Sequence, residues 1–112
     1  MIEQRDLLLV PFPFSDQSGR KVRPVIVISN NEFNKESNDL IVLGVTSNIS
    51  KDKYTVSLTN KDIEEGKLFT ACCIKIENLL KIDKEMIIKK IGKIKKDNLK
   101  KIIDKLMNLF NE

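Results

Sequence analysis

Short apolar runs separated by polar segments occupy the first two thirds of the chain. The runs are five to eight residues long and cover residues 7–14, 24–29, 40–47, 54–58 and 69–74. They are rich in β-branched and aromatic residues, a composition typical of β-strands. The centre of the second run contains no polar residue, which predicts a strand buried on both faces. Pro11 and Pro13 mark an edge or the end of the first strand, and Gly44 indicates a bulge or a close backbone approach in the third.

The segments between these runs carry turn-forming residues. Residues 15–21 predict an exposed loop, residues 30–39 a loop with one helical turn, and residues 62–66 a turn. Asp83 is a candidate cap for a short turn. Residues 86–92 fit a strand or a helix, and the pattern alone does not decide between them.

The last segment has the period of an amphipathic helix that begins near Asp97. Six apolar residues spaced i, i+3, i+4, i+7, i+8 and i+11 form one continuous stripe: Leu99, Ile102, Ile103, Leu106, Met107 and Phe110. Lysines occupy the other face of the helix. We expect the stripe to pack on the sheet, and binding of a partner is the alternative use of such a face.

These patterns predict a single domain over residues 1–112, mainly β with a C-terminal α-helix. Short strands joined by close turns favour a curled sheet or a small barrel over an open parallel sheet. An apolar fraction of 41% is enough to build one core. No apolar run approaches the ~20 residues of a membrane helix, and residues 1–6 lack the apolar stretch of a signal peptide. We therefore expect a cytoplasmic protein that does not enter a membrane.

The composition excludes several kinds of catalytic and metal site. The chain has no histidine, which excludes catalytic triads that depend on histidine and zinc sites that contain it. Cys72 and Cys73 are the only thiols and are adjacent, so a C-x-x-C motif and a disulfide framework are also excluded. We expect two buried thiols, with a vicinal disulfide as the alternative.

The net charge of +4 is unevenly distributed along the chain. Residues 1–60 carry seven Lys or Arg and seven Asp or Glu, whereas residues 61–112 carry thirteen and nine. Such an excess of lysine suits an anionic partner such as nucleic acid. A lysine-rich surface that is merely solvated is the alternative.

A basic cluster precedes the second predicted strand. Arg20, Lys21 and Arg23 lie within four consecutive positions, and Pro24 holds Arg23 in an extended conformation. A guanidinium fixed at the rim of a sheet can bind a phosphate through two parallel hydrogen bonds. An ion pair with a surface carboxylate is the alternative.

Two further groups of polar residues accompany predicted strands. Residues 46–48 (Thr-Ser-Asn) end the third strand, where their side chains either line the same rim or only terminate the strand. Lys75 and Glu77, two positions apart, point to one face of a strand. They are candidates for a functional pair or for a surface salt bridge.

Three blocks of sequence resemble the MazF/PemK family of toxin endoribonucleases. The first comprises LVPFPFSD, SG and KVRPVIVIS within residues 9–29, the second NDLIV and VTSN within residues 38–48, and the third LKIDK and KIGKI within residues 80–94. The blocks keep their order and cover nearly the whole chain. The first block is specific enough to make a chance match implausible.

The resemblance implies an SH3-like, CcdB-like barrel of about seven strands with a C-terminal helix, assembled as a homodimer. It also implies a type II toxin that cleaves single-stranded RNA without a metal or cofactor and is inhibited by a cognate antitoxin. In such cleavage the ribose 2′-hydroxyl attacks the adjacent phosphate, leaving a 2′,3′-cyclic phosphate and a 5′-hydroxyl.

The resemblance also assigns roles to individual residues. Arg23 and Thr46 match the catalytic arginine and threonine of the family, and Glu77 is the carboxylate in the matched set that could accept the first proton. The residues matched to substrate binding are Ser18, Gly19, Lys21, Ser47 and Lys75. Lys75 and Glu77 stand where some members have Arg and Asp, and Arg5 stands where the family often has a glycine that shapes the local turn.

Two other functions remain compatible with the same sequence. One is a non-catalytic toxin that binds a target protein through the same barrel. The other is a DNA-binding regulator that acts with an antitoxin on operator DNA, for which an excess of lysine is suitable. The matches at Arg23 and Thr46 favour the nuclease.

Overall fold

A computed structural model describes residues 1–11, 22–68 and 70–112, which form one antiparallel sheet and two α-helices. The strands are β1 (Asp6–Pro11), β2 (Val22–Val27), β3 (Asp39–Thr46), β4 (Thr55–Leu58), β5 (Ile63–Gly66), β6 (Cys72–Asp83) and β7 (Lys89–Ile94). Helix α1 (Asn31–Glu36) connects β2 to β3, and helix α2 (Lys96–Phe110) follows β7. Short 3₁₀ helices at Asn60–Asp62 and Lys84–Met86 precede β5 and β7.

The described strands lie in the order β4-β6-β3-β2-β1-β7-β5, and each paired neighbour is antiparallel. The sheet is curled, and α2 packs against one of its faces. This architecture confirms the prediction of a mainly β fold of about seven strands with a C-terminal helix.

Both faces of the central strands are buried, because successive side chains point to opposite sides. The face beneath α2 includes Leu7, Ile26, Leu43 and Ile74, which pack with Ile102 of the helix. The opposite face carries a second apolar cluster: Leu8, Val10, Val25, Val27, Leu40, Val42 and Ile82, packed against Ile2, Met86 and Ile87. The prediction that the second strand is buried on both faces is therefore confirmed.

The predicted turn at residues 62–66 is wrong. Those residues include β5, which pairs with β7 through Ile63 opposite Ile94. The ambiguous residues 86–92 hold the end of a 3₁₀ helix and then strand β7. Asp83 caps that 3₁₀ helix by accepting a hydrogen bond from the backbone N–H of Glu85 at 2.8 Å, as the sequence predicts. The end of the first predicted strand and the loop at 15–21 lie outside the described residues.

The apolar stripe of α2 is only partly buried, which corrects the prediction that all of it packs on the sheet. Ile102 and Leu106 are buried, whereas Met107 is 60% exposed and Phe110 is 70% exposed. Ile103 is exposed as well. The helix contacts the sheet along a line centred on Ile102, so residues one position further around the helix are turned towards solvent.

Charged residues tie the N-terminal segment to β5 and β7. Arg5 has φ = 80°, donates its backbone N–H to the carbonyl of Val27, and donates from Nη1 to Glu64 and to the Ile94 carbonyl. Asp6 is fully buried with Oδ1 3.1 Å from Lys90 Nζ. Partial burial favours the neutral amine of Lys90, but the hydrogen bonds and charges of Asp6 and Glu65 together outweigh that effect and raise the Lys90 pKa.

Cys72 and Cys73 are free and buried, which confirms the expectation of buried thiols. Their side chains point to opposite faces of β6, because they are neighbours in a strand. In the described part of the chain, no helix has the length and apolar character needed to cross a membrane.

Candidate functional site

Two adjoining pockets form a groove where β2 begins, β3 ends and β6 begins. Their volumes are about 420 and 560 Å³. The residues that line both pockets are Arg23, Pro24, Val45, Thr46 and Asn48. We call the smaller one, which also contacts Gly44, Ile49, Ser50, Lys75 and Asn78, the Asn78 pocket. We call the larger one, which also contacts Val22, Ser47, Thr70 and Cys72, the Cys72 pocket.

Arg23 lies at the wall shared by the two pockets. It is the second residue of β2 and pairs with Val10 of β1. Pro24 follows it and restricts Arg23 to an extended backbone, as the sequence predicts. The side chain is half-buried and borders the groove.

Thr46, the last residue of β3, faces the same groove. Its Oγ1 accepts a hydrogen bond from the backbone N–H of Asn48 at 3.1 Å. A hydroxyl that accepts from the backbone keeps its own proton for another acceptor. Thr46 can therefore donate a hydrogen bond to a ligand placed beside Arg23. Ser47 lines only one of the two pockets, the Cys72 pocket.

Lys75 reaches the Asn78 pocket, whereas Glu77 lines neither pocket. Lys75 Nζ is 3.7 Å from Asp52 Oδ2 and 3.8 Å from Glu77 Oε2. The prediction that Lys75 and Glu77 share one face of a strand is thus confirmed by their ion pair. The Glu77 carboxylate lies beside the groove and is connected to it through Lys75.

Three of the residues matched to substrate binding, Ser18, Gly19 and Lys21, lie outside the described residues. The described residues therefore bring together Arg23, Thr46, Ser47 and Lys75.

Sequence reasoning missed the contributions of Asn78 and Thr70, and it treated Cys72 only as a buried thiol. Burial, with a smaller contribution from Cys73, raises the pKa of the Cys72 thiol. Cys72 is therefore neutral at physiological pH and forms a wall of the groove, not an activated nucleophile. For Asn78, the only signal in the sequence is the break in alternation between Ile76 and Leu79.

The described residues contain no group of three or more His, Cys, Asp or Glu side chains that could hold a metal ion. The polar groups that face the groove are instead a guanidinium, an amine, hydroxyls and amides. Such groups donate hydrogen bonds to anions, and the guanidinium and the amine also supply positive charge. The site is therefore suited to a ligand that carries a negative charge and has polar groups on both sides of that charge.

Comparison with known proteins agrees with this chemistry. Residues 3–110 match a family model described as "PemK-like, MazF-like toxin of type II toxin-antitoxin system". The chain is 31% identical over 96 residues to a Staphylococcus saprophyticus protein named "Endoribonuclease MazF", covering 84% of this chain and 76% of that protein.

Solved structures share the fold at lower sequence identity. An endoribonuclease in complex with its cognate antitoxin, from a mycobacterial species, superposes with a TM-score of 0.79 at 15% identity, covering 96% of this chain and 93% of that chain. A MazE-MazF structure from Deinococcus radiodurans gives a TM-score of 0.78 at 19% identity, covering 96% and 94%. At these identities the likeness establishes the fold alone.

Proposed function

Because the chain belongs to the PemK-like, MazF-like family of toxins of type II toxin–antitoxin systems, we propose that it is an endoribonuclease that cleaves single-stranded RNA without a metal. The observation that carries this proposal is the meeting of Arg23 and Thr46 in one groove. These two residues line both pockets, so a strand that passes over them can place one base in each pocket. Recognition of splayed bases is how proteins commonly bind single-stranded RNA.

The proposed reaction is an attack by the substrate's own 2′-oxygen on the adjacent phosphorus. The new bond joins the 2′-oxygen to phosphorus, and the bond from phosphorus to the 5′-oxygen breaks. The 2′-hydroxyl loses a proton and the departing 5′-oxygen gains one, leaving a 2′,3′-cyclic phosphate and a 5′-hydroxyl. The protein has to hold the 2′-oxygen in line and to stabilise charge on the phosphoryl oxygens.

Arg23 supplies the charge stabilisation in this mechanism. Its planar guanidinium can donate two parallel hydrogen bonds to the non-bridging oxygens. Thr46 donates its hydroxyl proton to one of these oxygens, because its Oγ1 already accepts from Asn48. A guanidinium keeps its proton at neutral pH, so Arg23 acts as an electrostatic stabiliser and not as the base.

Glu77 is the proposed acceptor of the 2′-hydroxyl proton. Its carboxylate is half exposed and lies beside the groove, 3.8 Å from the Nζ atom of Lys75, which lines it. To act as a base, the carboxylate must turn from Lys75 towards the bound ribose. The Lys75 amine then remains close to Asp52 and contributes positive charge to the RNA backbone.

We propose a cognate antitoxin protein as the partner that inhibits this activity. Two structurally similar proteins were solved as an endoribonuclease with its cognate antitoxin and as MazE-MazF. We also propose a homodimer as the active assembly, and operator DNA as a further ligand when the antitoxin is bound. Membership of the family supports the antitoxin and the homodimer, and the excess of lysine is suitable for operator DNA.

Substitution of Arg23 tests the nuclease proposal. Purified protein is incubated with a long RNA, and the 5′-hydroxyl ends are mapped. Arg23→Ala should lower the cleavage rate by about 10²- to 10³-fold, the usual cost of removing one donor that stabilises an oxyanion. Arg23→Lys should fall between this variant and the wild type, because an amine keeps the charge but not the planar fork.

The matched control is Lys100→Ala, which removes one cation from the exposed surface of α2. It should cleave at the wild-type rate, and all three variants should unfold at similar urea concentrations. Full activity of Arg23→Ala would exclude the assigned mechanism. Absence of cleavage by the wild type would favour the non-catalytic toxin or the DNA-binding regulator.

A further inference from the structure

Asn78 faces the groove because the pairing of β3 with β6 is interrupted beside it. Leu43 pairs with Leu79 and Val45 with Ile74, so Gly44 alone stands opposite residues 75–78. In a regular strand, residues three positions apart point to opposite faces. Lys75 and Asn78 nevertheless both line the same pocket. Such irregularities in strand pairing re-aim side chains and are common beside functional sites.

Gly44 provides the space that the Asn78 side chain occupies. A Cβ atom added at Gly44 would lie 3.3 Å from Asn78 Cβ and 3.4 Å from Asn78 Nδ2. Gly44 is not among the residues with a positive φ, so its backbone does not require glycine. A glycine inside a strand weakens the strand. The approach of the Asn78 amide is the structural reason for a glycine at this position.

The Asn78 amide is available to a ligand. The side chain is exposed, and none of the described residues forms a hydrogen bond with its amide group. Lys75, which lines the same pocket, is already paired with Asp52 and Glu77. Asn48 carries the same amide, but it lies in a bend after β3 and lines both pockets. Asn78 is fixed in a strand and belongs to one pocket.

We propose that Asn78 determines sequence specificity by hydrogen-bonding one nucleobase of the RNA in the Asn78 pocket, next to the cleaved phosphate. This inference rests on the proposed nuclease function. A primary amide offers one donor and one acceptor side by side, which matches the donor and acceptor on the edge of a base. Gly44 sets the position of the amide, and the irregular pairing of β3 with β6 sets its direction.

The test is the base preference around the cleavage site in a pool of random-sequence RNA. Asn78→Ala should reduce discrimination at one position by about 5- to 100-fold, the usual value of one two-bond contact to a base. Asn78→Asp should discriminate against uracil at that position, because a carboxylate repels its two keto oxygens. Gly44→Ala keeps every polar group but displaces the amide, so it should weaken discrimination at the same position.

Asn108→Asp is the matched control, since it makes the same chemical change on the exposed surface of α2. Its base preference should equal that of the wild type at every position. The inference is overturned if the Asn78 variants cleave with the wild-type preference. It is also overturned if they change the rate equally for all sequences, which would indicate a purely structural or phosphate-binding role. A wild-type protein that does not cleave RNA would instead remove the nuclease proposal itself.

Discussion

Arg5 holds a backbone conformation that favours glycine, and its side chain offsets the cost. Its φ of 80° is the only positive value among the described non-glycine residues. Left-handed backbone costs an ordinary residue roughly 1–2 kcal/mol. Nη1 of Arg5 donates to the Ile94 carbonyl at 2.9 Å and to Glu64 at 3.1 Å. These contacts fasten the turn before β1 to the end of β7 and to β5.

Replacement of Arg5 by glycine or alanine separates the two effects. Both variants lose the Nη1 contacts, but only glycine relieves the left-handed strain. We expect Arg5→Gly to be more stable than Arg5→Ala by about 1 kcal/mol. Urea unfolding followed by circular dichroism measures the difference. Equal stabilities would mean that the turn changes conformation when the arginine is removed.

Individual site residues could be predicted from the sequence when local chemistry fixes their position. Arg23 is held by the following proline, and Thr46 ends an apolar run, so the sequence predicts that both lie at the rim of the sheet. Asn78 could not be placed in this way. The direction of its side chain depends on the pairing register of β3 and β6, which are distant in the chain. A single sequence does not reveal that register.

At the level of elements, hydrophobic periodicity predicts the direction of a buried face better than its width. The apolar stripe of α2 correctly predicts that Ile102 and Leu106 face the sheet, but the helix contacts the sheet only along the line around Ile102, so Met107 and Phe110 are left in solvent. The apolar pattern also fails to predict strand β5. Its residues are mostly exposed, and their strand conformation comes from pairing with β7, not from an apolar pattern.

Two alanine substitutions on α2 measure this difference. Ile102→Ala removes a fully buried side chain and should destabilise the protein by about 2–5 kcal/mol. Met107→Ala removes a side chain that is 60% exposed, and such surface changes usually stay within about 0.5 kcal/mol. Urea unfolding of the two variants at low protein concentration compares them. A large loss at Met107 would mean that another surface covers the exposed part of the stripe.

Over the whole molecule, the order of strands creates the groove and could not be predicted from periodicity. The late strand β6 enters the sheet between β3 and β4, and the late strand β7 pairs with β1. Residues from the first, second and last thirds of the chain therefore meet around Arg23 and Thr46. The family resemblance predicts this arrangement because members of a family share the order of their strands. The pattern of apolar residues predicts only where the strands are in the sequence.

The proposed chemistry makes a demand on the substrate that can be tested without altering the protein. Since the attacking oxygen is the ribose 2′-hydroxyl, a single 2′-deoxy nucleotide at the cleaved position should abolish cleavage, whereas one several nucleotides away should have no effect. Cleavage of the unmodified RNA should run at the same rate with and without excess EDTA, because charge stabilisation comes from Arg23 and Thr46. Gel analysis of end-labelled RNA measures each rate. Loss of cleavage in EDTA with recovery on adding Mg²⁺ would contradict the mechanism, as would cleavage at the 2′-deoxy position.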